Sequence, residues 1–377
     1  MTAAPPSVDA ATEQLLLAAD RVVAERVRQV ADLLSRVGGD PHAFGGHGID
    51  LAEQARIRTE VGGKKLRPRL AYAGFLAAGG RAVGVGSTDA AGPTRQVVEL
   101  AAALELLHLF ALVHDDVMDR ADSRRGIETV QHLAERLHRS AGGRGDAGRY
   151  GESVAILLGD LLLAEASDLV AGLPSPVRGG WRAMVVELVH GQLLDVTATA
   201  SPHAADPDAS AAVARLKTGR YTVRRPVELG ASLATDDHAL IGLLGEWGDL
   251  VGDAFALRDD LLGIWGDPDA TGKPRLQDLT DGTATRLLAW AAERLDGEDA
   301  ALVEQCRAAG LEPDAAERLA DAMIRVGVPQ RAESEIDWLL TVAHDLLTDP
   351  TGPGVRLAPH HHTDLHDLAV RLARRPR

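Results

Sequence analysis

The alternation of apolar and polar positions along this chain is helical almost throughout. Over residues 10–37, Leu15, Leu16, Leu17, Val22, Val23, Val27, Val30 and Leu33 form a stripe near the 3.6-residue period, which predicts one long amphipathic helix. A short helix is expected at 51–59. A strongly apolar helix follows from about residue 96 and closes in Asp115, Asp116 and Asp119. Further helices are expected at 154–170, 181–197 and from Lys217 past Tyr221, with Pro226 kinking the last. The apolar run 250–257 ends in Asp259 and Asp260, and helices at 285–295, 298–309, 313–326 and 330–347 complete the pattern. Glycine- and proline-rich stretches at 38–48, 79–95, 139–151, 198–210, 266–282 and 349–363 read as loops. Residues 1–9 and 349–363 are expected to be flexible. No repeat of fixed period is present. The pattern predicts an all-α fold of ten or more helices in one domain over 1–377.

Composition narrows the picture. Hydrophobic residues make up 45% and aromatics 3%, so the core must be built from Leu, Val and Ala, which suits close-packed helices. A formal charge of −15 with no offsetting basic block argues against nucleic-acid binding. A single cysteine, Cys306, excludes an internal disulfide and a thiolate metal site and fits a reducing cytoplasm. No run of about 18 apolar residues is free of charge, so no membrane span is expected. Residues 1–6 lack a basic segment followed by an apolar one, so no signal peptide is expected.

The chemistry is concentrated at the ends of two apolar runs. Asp115 and Asp119 stand four apart and share a helical face, with Asp116 beside them. Carboxylates this close repel one another unless a cation lies between them, and hard oxygen ligands suit Mg²⁺, which commonly brings phosphates. Asp260 and Asp267 are seven apart and face the same way if the helix continues that far. Two such clusters can line the two sides of one cavity around a diphosphate. Cations accompany the first: Lys64, Lys65, Arg67 and Arg69 precede it, and the forked pair Arg124 and Arg125 follows it. His108 lies seven residues before Asp115, on the same face. Asp160 is read as an internal acid of a buried helix that needs a hydrogen-bond partner. His360, His361 and His362 fall in the last loop and, without a paired ligand motif, are read as loop residues.

Taken in order, Gly62-Gly63-Lys64-Lys65-Leu66-Arg67-Pro68, the aspartate-rich stretch through Gly126, Gly151 to Asp160, Gly191 to Asp195, Lys217 to Thr222, Asp259 to Asp267 and Thr271 to Pro274 resemble the trans-polyprenyl diphosphate synthases. The likeness is to the geranylgeranyl diphosphate synthase-like, actinobacterial type. The resemblance implies an isoprenoid-synthase-type helical bundle around a central cavity, a homodimer, and Mg²⁺, three ions of it, as cofactor. It implies that isopentenyl diphosphate is condensed with an allylic diphosphate. Asp115, Asp116, Asp119, Asp195, Asp259, Asp260 and Asp267 would hold the metal. Lys64, Arg67, His108, Arg124 and Arg125 would bind isopentenyl diphosphate. Lys217, Gln192 and Lys273 would serve the allylic site, with Thr218 turned to the developing cation. Phe110 and Ala111, five and four residues before Asp115, match the positions that limit chain length and resemble the C20 pattern.

The sequence departs from the family at several points. Gly263 stands where a third carboxylate is expected, with Asp267 as a possible substitute. Ala256 replaces a glutamine, Thr283 follows Gly282 where a Lys-Arg-Thr run is expected, and Ile127-Glu128 replaces Arg-Pro. These changes leave two alternatives beside chain elongation: a class I terpene cyclase of the same lineage acting on an allylic diphosphate, and a non-catalytic partner subunit that sets product length.

Overall fold

A computed structural model of the chain describes residues 8–40, 48–83, 92–201, 207–268, 274–348 and 357–374. The regular structure of the described residues is helical apart from one small hairpin. In order come α1 (Val8–Val37), α2 (Leu51–Glu60), α3 (Leu66–Ala77), α4 (Pro93–Met118), strands β1 (Ser123–Arg124) and β2 (Ile127–Glu128), α5 (Val130–Ser140), α6 (Ala147–Ala171), α7 (Ser175–Thr199) and α8 (Pro207–Ala214). A π-helix (Arg215–Arg224) leads into α9 (Arg225–Ala234) and α10 (His238–Trp265). Then follow α11 (Gln277–Thr280), α12 (Arg286–Ala292), α13 (Gly297–Ala309), α14 (Pro313–Arg325), α15 (Val328–Thr348) and α16 (Pro359–Ala373).

The chain forms two compact units, Met1–Tyr72 with Gly80–Arg178, and Ala73–Gly79 with Gly179–Arg377. Helix α4 is the hub of the first, packing on α6 and α1. Its residues Leu100 to Leu104, Leu106 and Leu107 are all buried, so the helix is apolar nearly all round. By length and composition α4 could cross a membrane, but its apolar surface is largely covered by neighbouring helices. Glycines let those neighbours approach. A Cβ at Gly151 would lie 2.2 Å from the Gln131 carbonyl oxygen of α5, and one at Gly159 would lie 2.1 Å from His114 Nε2 of α4. The α1 stripe is partly as expected: Leu15, Leu16, Val23, Val27 and Val30 are buried, whereas Leu17 and Leu33 face solvent.

Helix α10 is the hub of the second unit, in contact with the π-helix, α9, α11, α12, α15 and α16. Gly219 and Gly252 face each other where the π-helix crosses it, each leaving room for the other's backbone. Pro226 falls at the junction of the π-helix and α9. The chain changes pitch before it: Arg225 N donates to Arg220 O, a bond spanning five residues, and α9 then starts with the proline in its first turn.

Several local expectations are corrected. Helix α6 begins at Ala147, seven residues before residue 154, because Asp146 caps it by accepting from Arg149 N at 2.7 Å. Asp160 is exposed, since it falls on the α6 face with Glu152, Ser153, Ile156 and Leu157 that turns away from α4 and α5. Helices α3 and α5 occupy stretches where periodicity pointed to no element. Of the expected loop 349–363, residues 349–356 lie outside the described residues, and the described part enters α16 at Pro359, whose ring is pre-set for a first helical turn. His360, His361 and His362 therefore lie in that turn, with the His360 and His361 rings 4.0 Å apart.

Candidate active site

The first aspartate cluster is built where α4 ends. Asp119 is the C-cap and its N–H donates to Asp115 O at 2.8 Å, so the expected one-turn spacing of the two acids holds. Asp116 is 6% exposed. Its carboxylate accepts from Arg124 Nε at 2.7 Å, while Arg124 Nη2 is 3.8 Å from Asp115. Burial pushes the Asp116 carboxyl above the usual range, against the pull of Arg124. Gln131 of α5 clamps the turn, with Nε2 donating to the carbonyls of Asp116 and Ala121 at 2.9 Å each.

Arg124 is positioned by the β1–β2 hairpin. Arg125 (φ +52°) and Gly126 (φ +79°) supply the two left-handed residues of a two-residue turn, and Arg124 pairs with Ile127 across it. The Ile127-Glu128 that stands where the family has Arg-Pro forms β2 of this hairpin, Ile127 opposite Arg124 and Glu128 opposite Ser123. Arg125 then reaches Gly62, donating from Nη1 to its carbonyl oxygen. Gly63 makes room, since a Cβ there would stand 2.9 Å from the Arg125 guanidinium nitrogens.

The four-cation run divides by role. Lys65 bonds Asp20 of α1, and Arg69 Nη2 donates to Glu13 of the same helix at 2.7 Å. Both cations thus serve packing. Lys64 is exposed and Arg67 half-buried, and Arg67 acts on His108 together with Arg125 and Arg124. Burial first, and those three guanidinium groups second, hold the His108 imidazole well below its ordinary pKa, so it is neutral at pH 7. Glu105 joins this group and was not singled out from the sequence. Burial raises its carboxyl while Arg67, Lys65 and Arg125 lower it. Its place three residues before His108, on the same face, was the available signal. Phe110 is buried. It meets His114 edge-on at 4.7 Å, and His114 Nε2 donates to Ile156 O at 3.1 Å. Ala111 is half-buried.

The second unit carries candidate residues of its own. Lys217 on the π-helix donates to Asp195 of α7 at 2.6 Å. Gly191 permits the approach, because a Cβ there would lie 2.7 Å from Lys217 N. Thr218 and Gln192 are half-buried nearby in sequence. On α10, Asp259 is exposed and Asp260 half-buried. Burial, then the charges of Asp278 and Asp259, push the Asp260 carboxyl well above its ordinary range, opposed by Arg286 and its backbone N–H. Arg286 itself bonds Glu335. Asp267 does not share the α10 face, because the helix stops at Trp265 and Gly266 is extended. Lys273 lies outside the described residues. Asp278, missed by the sequence reading, is drawn in by tertiary packing.

Among the described residues no three His, Cys, Asp or Glu side chains converge as a ready metal chelate. Asp116 and Asp195 are answered by Arg124 and Lys217 instead. The donor set is nevertheless oxygen-only and carboxylate-rich, the chemistry that suits Mg²⁺. A separate cavity of about 470 Å³, lined by Leu261, Trp265, Ile324, Pro329 and Glu333 among others, contains none of these site residues.

An all-α fold with an aspartate cluster on each of two hub helices, one of them beside gathered arginines, defines a class of enzymes that handle diphosphates. The chain belongs to the polyprenyl synthetase family, whose model matches residues 50–323. It is 31% identical to a (2E,6E)-farnesyl diphosphate synthase of Mycobacterium tuberculosis, over 85% of this chain and 89% of that one. It is also 31% identical to a geranylfarnesyl diphosphate synthase of Aeropyrum pernix, over 77% and 84%. Among solved structures, the geranylgeranyl pyrophosphate synthase of Corynebacterium glutamicum, complexed with isoprenyl diphosphate and magnesium, matches with a TM-score of 0.79 at 33% identity, covering 95% of this chain and 98% of that one. The chain is therefore an enzyme of the transferase class, a member of the trans-prenyl diphosphate synthases.

Proposed function

We propose that this enzyme condenses isopentenyl diphosphate with an allylic diphosphate in a Mg²⁺-dependent reaction and that its product is the C20 geranylgeranyl diphosphate. The observation that carries this reading is the cationic group in the first unit. Arg67, Arg124 and Arg125 act on a neutral His108, a setting suited to a second diphosphate that an enzyme using an allylic substrate alone does not need. The C20 product rests on Phe110 and Ala111 upstream of Asp115. A single domain is supported by the family match, which runs without interruption through both compact units.

The assigned metal carboxylates are Asp115, Asp116, Asp119, Asp195, Asp259 and Asp260. When bound, three Mg²⁺ ions supply electrophilic neutralisation of the leaving diphosphate. Lys217, held by Asp195, and Lys273 add positive charge at that group, and Gln192 lines the same site. Thr218 turns its oxygen dipole to the developing allylic cation. Lys64, Arg67, His108, Arg124 and Arg125 hold isopentenyl diphosphate, whose double bond attacks the cation. The proton lost in restoring the alkene passes to the released diphosphate. Apolar walls exclude water that would quench the cation.

Buried Ala256, 4% exposed where the family has a glutamine, favours a second reading, a cyclase in which the tail attacks its own cation. One incubation series separates the readings: geranyl, farnesyl and geranylgeranyl diphosphates with Mg²⁺, each with and without isopentenyl diphosphate, followed by mass spectrometry. Elongation requires a longer diphosphate only when isopentenyl diphosphate is present, with C20 dominant. A cyclic hydrocarbon from the allylic substrate alone would establish the cyclase, and no turnover alone but altered products with a second synthase would establish the partner subunit.

The homodimer is supported by α7. Val186, Val189, Leu193 and Val196 recur at helical spacing and are all exposed, a continuous apolar stripe that a second copy would cover. Light scattering after size exclusion is expected to give a dimer for the native chain and a monomer for a Val189→Glu/Leu193→Glu variant. A native monomer would refute the assignment.

A further inference from the structure

Lys217 is delivered from a π-helix, and the ionic contacts around that segment match its pitch. Arg215, Arg220 and Arg225 recur every five residues. Residues five apart stand about 140° apart around an α-helix, and come toward one side when turns close between i and i+5. All three are met by acids within the second unit. Arg215 Nη2 donates to Asp253 of α10 at 2.7 Å, and Arg220 Nε donates to Asp249, one turn earlier on α10, at 3.2 Å. Arg225 Nε donates to Glu187 of α7 at 2.9 Å, and Arg220 Nη1 lies 3.5 Å from the same carboxylate. A five-residue step along the π-helix is thus set against a four-residue step along α10.

The contacts close into a ring. Asp249 also bonds Arg224, Arg224 Nε donates to Glu228 at 2.9 Å, and Arg225 Nη1 donates to Glu228 at 2.7 Å. Going round through Asp249, Arg220, Glu187, Arg225, Glu228 and Arg224, each charge stands between two of opposite sign. Their side chains are 14% to 29% exposed, so removing one leaves two part-buried charges uncompensated. Glycines of α10 seat the ring. A Cβ at Gly245 would stand 2.3 Å from Glu228 Oε1, and one at Gly248 would stand 2.7 Å from Arg224 Cα. The ring is tied to Lys217 through α7. Glu187, Gly191 and Asp195 are four apart and share a face of that helix. Glu187 belongs to the ring, Gly191 admits the backbone at Leu216 and Lys217, and Asp195 accepts from Lys217 Nζ at 2.6 Å.

We propose that this ring sets the pitch of residues 215–224 and thereby holds Lys217 in place at Asp195, so that its six members are positioning residues for the reaction. The inference rests on the prenyl-transferring reading above, which gives Lys217 its role at the allylic diphosphate. Arg220, Arg224 and Arg225 touch no reacting group in this account. They act only by fixing the face that the π-helix turns to α7, and an ionic network acts as a unit when every member is satisfied.

The test uses the full chain. Asp249→Asn keeps the shape of the side chain and removes the charge shared by Arg220 and Arg224. It is expected to lower kcat about tenfold or more, with the KM for isopentenyl diphosphate unchanged. In a Lys217→Ala background the same substitution is expected to cost less than about twofold, because the group it positions is gone. A packing defect alone would cost the same factor in both backgrounds, so equal losses overturn the proposal, as does a native kcat in Asp249→Asn. Hydrogen exchange read by mass spectrometry gives a measure independent of turnover. Amides of residues 215–225 are expected to exchange about tenfold faster or more in Asp249→Asn, with those of α4 unchanged, and native protection at 215–225 overturns the proposal. Arg220→Lys keeps all six charges, but its ammonium lacks the fork that reaches two carboxylates. It is expected to melt as the native chain does and to lose about fivefold in kcat, and it carries the same two-background comparison if Asp249→Asn does not fold. A native chain that elongates no allylic diphosphate overturns the prenyl-transferring reading, and the exchange comparison then decides by itself whether the ring sets the pitch.

Discussion

Asp260→Asn is expected to make the metal-free protein more heat-stable while lowering turnover by on the order of 10³-fold or more. Asp260 is an acid held where burial and the neighbouring Asp278 and Asp259 oppose its ionisation. Its folded-state pKa is raised, so between the unfolded value and the folded one the native state binds the extra proton. Stability contributed by this group is present below the unfolded pKa and is lost as pH rises through the folded one. Asparagine keeps the shape and the acceptor for the Arg286 N–H but removes the charge. Melting curves in chelator should show the variant's advantage largest above neutral pH and shrinking as the pH falls toward the ordinary carboxylate range. Adding Mg²⁺ with pyrophosphate should reverse the order, because the native charge then has a counter-ion. A variant less stable than the native chain in chelator at every pH would refute the account.

Gly151→Ala is expected to lower both stability and activity, although the residue touches no candidate ligand. Its Cβ would enter α5 2.2 Å from the Gln131 carbonyl oxygen and 3.2 Å from Glu135 N. The obstacle is backbone, so α5 must move as a unit by more than 1 Å. Overpacking of this kind costs about 1–3 kcal/mol, which for a chain of this size is a drop of several degrees in Tm. Gln131 is also the clamp on the Asp116 and Ala121 carbonyls. Shifting it displaces Asp116 and the turn carrying Arg124, and a misplacement of about 1 Å can cost on the order of 10²-fold in rate. Calorimetry and turnover assays on the purified variant check both parts. Native Tm and native rate together would show that α5 yields without cost.

The two effects separate what was legible in the chain from what was not. The runs ending in Asp115–Asp119 and Asp259–Asp260 were legible because helical periodicity and i, i+4 spacing are local properties, and α4 and α10 carry both clusters as expected. So was the family, since its motifs are short and appear in order. The basic run at Lys64 to Arg69 was legible only as charge. That Lys65 and Arg69 are spent on Asp20 and Glu13 depends on where α1 packs. Asp160 showed the converse error, an acid in an apolar run that turns out to lie on the exposed face.

By itself the sequence determined an all-α chain, its two acidic hub helices, the cations near the first, and the glycines at their fixed places. Tertiary structure alone decided which atoms fill the glycine notches: Arg125 at Gly63, the Gln131 backbone at Gly151, His114 at Gly159 and Asp278 at Gly263. It also decided that Asp267, beyond the end of α10, does not share the face of Asp259 and Asp260. The physical reason is range. A helix is specified by residues within one or two turns, whereas a missing side chain specifies only an absence, and the group that occupies it comes from 15 to 62 residues away in the chain.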